Sequence, residues 1–368
     1  SLSLAILSGV QRMCFSTGPI GGVGAFCEMT GTLWVLIPVC YLGTIVLLWR
    51  MHRPPRNVGE LHRFSASDGW PLTLTRYAGD GSPVLLCHGI SSSAGIFRLT
   101  GDLSGFLQQQ GYDVWCLDLR GHGMSKRSPL GARWLFDRWG FHDYVIRDAP
   151  AAVAYILQTT GASGLHWVGH SMGGMVGICA RSQGMEGLKS IITLGSPSFE
   201  KENRFTSGGA LAVGGFFLRW FPVMPTRLFF FLIWPLLALW GPPSRIYCRP
   251  NLGRRELGGL IAGAYDDLSG GELRDLLAFR AAGRLSPYAD WYDRVGLPVL
   301  SIIGNEDRVV SPEDAEMFAH LLPGSVGCRI LSGCGHADLV VGRQAPETVF
   351  VRIAGFLGDV ESKKRMEV

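Results

Sequence analysis

The hydrophobic pattern changes character at Gly59, after which short apolar runs of strand length alternate with segments of helical period. "ELHRFSAS" and "PLTLTRYA" flank Asp68-Gly69, a dipeptide that tolerates positive φ, so an opening antiparallel hairpin is expected. "PVLLCHG" then reads as a buried strand, "GDLSGFLQQQG" as a helix closed by Gly111, and "YDVWCLDLRG" as another strand. Residues 141–160 predict one long helix, "GLHWVGHS" a strand running into a helix near Met172, and "LKSIITLGSP" a further strand. The pattern breaks at Pro197 and resumes with "LPVLSIIGNED". In the following "SPEDAEMFAHLL", Ser311 can cap a helix, Pro312 suits its first turn, and Glu313 and Asp314 favour the positive end of its dipole. "GCRILSG" is a last strand and "PETVFVRIAGFL" a last helix. A hairpin followed by alternating strands and helices implies an α/β fold, with a mostly parallel sheet covered on both faces.

Two stretches are more apolar than such a fold requires. Residues 32–49, "TLWVLIPVCYLGTIVLLW", run for 18 positions without a charge. As a helix this spans about 27 Å, close to a bilayer core, and predicts a transmembrane anchor in which Pro38 is tolerated. The run lies too deep in the chain for a cleaved signal peptide, and no small-residue cleavage site follows it. Arg50, Arg53 and Arg56 follow instead, whereas Arg12 before it is offset by Glu28, which predicts a single pass with the bulk of the chain on the cytoplasmic side. Residues 1–31 carry no assignable role. The second stretch, Leu228 to Trp240, has 13 uncharged residues, a length that fits an interfacial or buried helix rather than a second span.

Composition agrees with these readings. The 368 residues are ample for one large domain with an insertion. Charged residues make up 17% against 47% hydrophobic, an excess that points toward a membrane. The net charge of +4 is spread along the chain with no basic run interleaved with aromatics, so nucleic acid is not an expected partner. Nine cysteines lack C-x-x-C spacing, and Cys87, Cys116 and Cys179 fall in core segments, as free thiols do in a reducing compartment. The histidines show no zinc-ligand spacing, and no G-x-G-x-x-G opens the first parallel strand, so neither a metal nor another cofactor is expected.

The chemistry centres on "WVGHSMGGM". A serine on a sharp strand-to-helix turn is strained, and only small residues fit two positions before and after it, which accounts for Gly169 and Gly173 around Ser171. Such a turn lifts the Ser171 hydroxyl out of the sheet and aims the helix start at whatever it attacks, placing the Met172 N–H for an oxyanion. The loop after the third strand, "CHGISSS", supplies a second donor at Ile90. A triad in this topology needs an acid and then a histidine at later strand ends; Asp307 follows "LSIIGNE" and His336 follows "RILSGCG". Glu306 competes with Asp307, as does an acid after the sixth strand, but "LGSPSFE" has none at the strand tip. His170 reads as a packing residue, because neighbouring side chains at such an elbow point apart, and His88 and His122 as turn residues at the same sheet end.

"HGISSS", "DLRGHGMS", "GHSMGG", "GNEDRVV" and "GCGH" occur here in the order of the α/β-hydrolase superfamily, which residues 59–196 and 297–358 resemble. The resemblance implies an eight-stranded sheet and a helical cap insertion after strand six, here residues 197–296. Within the superfamily, "GFHDYVIRDAPAAVAYILQTTGASGLHWVGHSMGG" resembles the bacterial relatives of acid lipases and polyhydroxyalkanoate synthases, which carry a similar aromatic, acidic, D-x-P helix before the nucleophile strand. The synthases use Cys as nucleophile, whereas position 171 is Ser, which argues for hydrolysis.

The expected function is therefore a membrane-anchored serine hydrolase that cleaves apolar or lipid-like esters through an acyl-enzyme on Ser171. An acyltransferase with the same triad and a non-enzymatic, membrane-bound binding protein on this fold are the alternatives. Phe230 and Trp234, in the apolar run of the insertion, are candidate contacts for the acyl chain.

Overall fold

The computed structural model describes residues 21–52, 59–126, 139–201, 223–240, 248 and 250–366. Residues 1–20, and the Arg53 and Arg56 used for the orientation, lie outside them. The chain divides into two compact units, Ser1–Arg50 and Met51–Val368.

The first unit contributes helix α1 (Gly21–His52), with Pro38 inside it. The uncharged run 32–49 thus lies within one helix, and the described side chains Leu36, Ile37, Val39, Leu42, Val46 and Leu47 are exposed. Among the described residues no helix is long and apolar enough to cross a membrane, the side chains of α1 being described only from Leu36 on, inside the expected span.

The second unit is built on one eight-stranded sheet, as expected. Its strands are β1 (Glu60–Ser65), β2 (Pro71–Tyr77), β3 (Pro83–Cys87), β4 (Asp113–Asp118), β5 (Leu165–His170) and β6 (Leu188–Leu194), then β9 (Val299–Gly304) and β10 (Ser325–Leu331) after an insertion. Their order is β1-β2-β4-β3-β5-β6-β9-β10. The β1–β2 and β2–β4 pairs are antiparallel and the rest parallel. The first hairpin closes as predicted, with Gly69 at φ 77° and Ser65 opposite Pro71. Every residue of β3, β4, β5 and β9 is buried, which is why these strands read as unbroken apolar runs.

Helices α2 (Leu103–Gln109), α3 (Ala149–Thr160) and α4 (Met172–Ser182) connect the first parallel strands. The insertion between β6 and β9 holds a two-residue pair, β7 (Val223–Met224) with β8 (Leu268–Ser269), and helices α5 (Thr226–Trp240), α6 (Arg254–Gly263) and α7 (Gly270–Ala282). Helices α8 (Pro312–His320) and α9 (Val351–Met366) follow. The cap of α8 is the one its sequence signals, the Ser311 hydroxyl accepting from the Asp314 N–H at 3.1 Å. The seven described cysteines, Cys328 and Cys334 among them, are all free.

One helix departs from expectation. The segment predicted as a single helix over 141–160 contains a π-turn at Tyr144–Asp148, immediately before α3. Its cause is Pro150, which lacks an N–H and cannot sit against the carbonyl one regular turn earlier. The wider turn carries Asp148 onto Arg120 at the end of β4. Arg120 Nε and Nη2 donate to Asp148 Oδ1 at 2.8 and 2.7 Å, its backbone N–H to Oδ2 at 2.9 Å, and its Nη1 to Asp68 at 2.8 Å. One guanidinium therefore ties the first hairpin, the β4 loop and the helix that precedes the β5 elbow.

Removing one partner of a buried pair strands the other, so Arg120→Leu should destabilise the domain by about 3–5 kcal/mol. The double variant Arg120→Leu/Asp148→Leu should recover part of that loss. Urea unfolding midpoints of the three proteins test this, and equal midpoints for wild type and Arg120→Leu would refute it.

Candidate active site

Ser171 lies between β5 and α4 at φ 53°, ψ −119°, a conformation that non-glycine residues adopt only under constraint. The glycines around it supply the constraint. A Cβ at Gly169 would stand 2.3 Å from the backbone of Gly173, and one at Gly173 would stand 2.2 Å from the Cys87 carbonyl oxygen. The turn is further held by Ser171 N–H donating to the Leu194 carbonyl at 2.7 Å, and by Ser196 Oγ donating to the Ser171 carbonyl at 2.7 Å. The loop that follows β3 passes directly over the serine: a Cβ at Gly89 would be 3.0 Å from Ser171 Cβ. Ile90 is next in that loop, and Met172 opens α4, where the N–H has no acceptor within the helix.

The ends of β9 and β10 bring two further predicted residues together. His336 Nδ1 donates to Asp307 Oδ2 at 2.8 Å, which leaves Nε2 with the lone pair. The other carboxylate oxygen of Asp307 accepts from the N–H groups of Val309 (2.8 Å) and Val310 (2.9 Å). Glu306 is exposed and does not compete. At the tip of β6, the other strand end open to an acid, stands Gly195. A Cβ there would lie 3.1 Å from His336 Nδ1 and 3.3 Å from Asp307 Oδ2, so this glycine leaves the pair its room.

The remaining histidines separate into two kinds. His88 donates from Nδ1 to the Gly89 carbonyl at 2.8 Å and accepts from the Leu119 N–H at 3.2 Å, and burial pushes its pKa down to about 3. His170 is likewise held neutral by burial, reinforced by His336. It does pack in the core, but it also bonds the His336 backbone, which the packing reading omits. His122 behaves oppositely. Burial opposes its charge, yet Glu272, 3.2 Å away and itself buried in α7, outweighs it and raises the His122 pKa, with Asp266 assisting.

Glu272 and Asp266 were not singled out in the sequence, and both belong to the insertion. Asp266 accepts from the Gly123 N–H at 2.6 Å and pairs with Lys126. The strand edge of the Ile90 loop is bound too, Ser92 bridging Tyr265 and the Asp266 N–H donating to the Ser91 carbonyl at 2.9 Å. The insertion is thus bonded to the loops that follow β3 and β4. The only available signal was the "YDDLSGGE" cluster of acids in an apolar region.

Of the two candidate acyl contacts, Trp234 is 1% exposed and packs edge-on to Phe231 within the second unit. Phe230 stacks on Tyr265 at 4.5 Å, next to the loop that carries Ile90. A cavity of about 900 Å³ lies at the starts of β6, β9 and β10, lined by Leu188, Leu297, Pro298, Gly324 and Phe356. That is the sheet end opposite Asp307 and His336. Among the described residues no group of His, Cys, Asp and Glu could hold a metal ion.

Residues 82–342 match the family of the alpha/beta hydrolase fold, and the chain belongs to that family. It is related in sequence to lipases. Bovine (Bos taurus) gastric triacylglycerol lipase is 30% identical over 40% of this chain and 45% of its own length. Human lysosomal acid lipase/cholesteryl ester hydrolase is 32% identical over 34% and 35%. The matched segments thus span less than half of these relatives. A monoacylglycerol lipase from Paleococcus ferrophilus shares the fold, with a TM-score of 0.56 over 78% of this chain and 99% of that one, at 18% identity.

The His122–Glu272 pair gives a pH test. A histidine whose folded pKa is raised contributes stability that is complete below its unfolded value, about 6.5, and is lost as pH rises through the folded value. The difference in urea midpoint between wild type and Glu272→Gln should therefore narrow from pH 6 to pH 9. A gap that widened over that range would contradict the assignment.

Proposed function

We propose that this protein is a membrane-anchored serine hydrolase that cleaves carboxylic esters of apolar, lipid-like substrates through an acyl-enzyme on Ser171. The observation that carries the reading is the Asp307–His336 bond at two strand ends beside the strained Ser171 elbow. His336 Nε2 removes the Ser171 proton as Oγ adds to the ester carbonyl, while Asp307 keeps Nδ1 protonated and the ring aligned. The N–H groups of Ile90 and Met172 hold the resulting oxyanion. Collapse breaks the bond to the alcohol, which leaves with the proton carried by His336. Water, deprotonated by the same nitrogen, then adds to the acyl-enzyme and releases the acid and Ser171.

Two features support an apolar substrate met at a membrane. The uncharged run 32–49 lies in α1, and with Arg50, Arg53 and Arg56 beyond it the hydrolase domain is assigned to the cytoplasmic side. In the insertion, which we read as the cap, α5 exposes Leu228, Leu232, Leu236 and Leu239 at a spacing that puts them on one helix face. A contiguous apolar stripe of this kind marks an interaction surface, and lipid is the partner that also presents the substrate. The lipase relatives agree with this substrate class.

Ser171→Ala, Asp307→Asn and His336→Ala should each lower kcat for p-nitrophenyl esters by about 10³-fold or more, and their losses should not add. Fluorophosphonate should label Ser171 and leave the Ser171→Ala variant unlabelled. Near-normal turnover by pure Ser171→Ala would end the reading.

Replacing Leu228, Leu232 and Leu236 together by Gln should cut turnover of a long-chain ester in vesicles by about tenfold or more, each leucine losing part of its roughly 1.5–3 kcal/mol of burial. Turnover of a soluble short-chain ester should change less than about twofold. An unchanged long-to-short ratio removes α5 from the interface. Protease protection in sealed vesicles tests the assigned side.

A further inference from the structure

His170 precedes Ser171 in the chain, yet its ring turns toward the opposite partner of the site. Its Nε2 lies 3.2 Å from the backbone carbonyl oxygen of His336, and the two imidazole centroids are 4.9 Å apart. A carbonyl only accepts, so Nε2 carries the proton and Nδ1 is a bare lone pair. That Nδ1 is buried without a hydrogen-bond partner among the described residues. It faces the Gly89 turn, 3.3 Å from where a Cβ on Gly89 would stand. Burial and the neighbouring His336 keep the ring neutral down to about pH 3.

His336 needs such a hold. It follows the short turn Gly333-Cys334-Gly335 after β10, where Gly333 is at φ 69°. Asp307 fixes the ring at Nδ1, and the Gly335 N–H donates to Asp338 Oδ2 at 2.7 Å. The turn is also tied to the β9 loop, the Gly333 N–H donating to Asn305 Oδ1 at 2.8 Å and the Glu306 N–H to the Cys334 carbonyl at 3.0 Å, and Asn251 Nδ2 donates to the Gly333 carbonyl at 2.6 Å. None of these contacts refers the imidazole to the nucleophile. The bond from His170 does, because His170 is the last residue of β5 and Ser171 follows it directly.

We propose that His170 is a positioning residue, whose Nε2–H holds the His336 carbonyl and so sets the catalytic imidazole in register with Ser171. The proposal rests on the triad reading above. A histidine suits the task where lysine or arginine would not. It reaches the carbonyl as a donor without placing a second cation beside an imidazole that becomes positive in the transition state.

The test compares His170→Phe, which keeps the ring and loses the donor, with His170→Gln, which keeps a donor at similar reach and packs less well. For the positioning role, kcat on p-nitrophenyl butyrate should fall about 10- to 100-fold in His170→Phe with KM within about twofold, since small misplacements of catalytic groups cost this much. The rate of Ser171 phosphonylation by a fluorophosphonate should fall in parallel. His170→Gln should recover both rates to within a few-fold even if its urea midpoint is lower. The reverse order, Phe near wild type and Gln impaired, assigns His170 to packing and overturns the proposal. Imidazole ¹⁵N shifts of the wild-type protein give a readout that no misfolded variant can obscure. Protonation at Nε2 from pH 5 to 8 is required, and an Nδ1–H tautomer refutes the bond. Failure of wild type to react with the fluorophosphonate would instead count against the triad reading itself.

Discussion

Two stretches of backbone meet at the β5–α4 elbow with no side chain between them, and the geometry of the site depends on that closeness. Gly173 lies against the end of β3, Gly169 against the start of α4, and Gly174 against Ser196. With α4 this near, the chain can turn from strand to helix only through a left-handed residue, and Ser171 occupies that place at φ 53°. Such a conformation costs on the order of 1–3 kcal/mol and persists because its surroundings over-determine it. Both the N–H and the carbonyl of Ser171 are bonded to β6 or the residues just after it. A methyl group's retreat of the helix would relax the turn and lower the hydroxyl toward the sheet.

Electrostatics around this elbow are arranged so that charge stays off the nearest rings. His88 and His170 are neutral because burial outweighs every favourable partner they have. His122 carries the opposite bias, since the insertion supplies two buried acids to it. The attachment of the insertion is therefore partly ionic, whereas the bond network that touches Ser171 is neutral apart from Asp307.

Much of this was legible in the residues because it is local. A parallel strand buried on both faces must read as an apolar run, and β3, β4, β5 and β9 do. Ser171, Asp307 and His336 follow such runs directly, so their place at strand ends could be read from their neighbours. What escaped depends on contacts between distant segments. Glu272 meets His122 across 150 positions, Asp266 meets Gly123 across 143, and His170 meets His336 across 166. Periodicity holds no record of such pairs. The π-turn before α3 was missed for another reason, since the helical period continues through it and only Pro150 marks the place. The anchor reading differs again: the apolar run forms helix, but what surrounds a helix is not written in its own pattern.

The gap beside Gly195 fixes where the acid beside His336 can stand. At φ 62° a side chain here would be strained, and its Cβ would already come within 3.1 Å of the imidazole and 3.3 Å of the carboxylate it faces. An acid at the tip of β6 would have to push one of the two aside, so this corner has room for a single carboxylate, and Asp307 fills it from the end of β9. The absent side chain thus decides which strand supplies the acid.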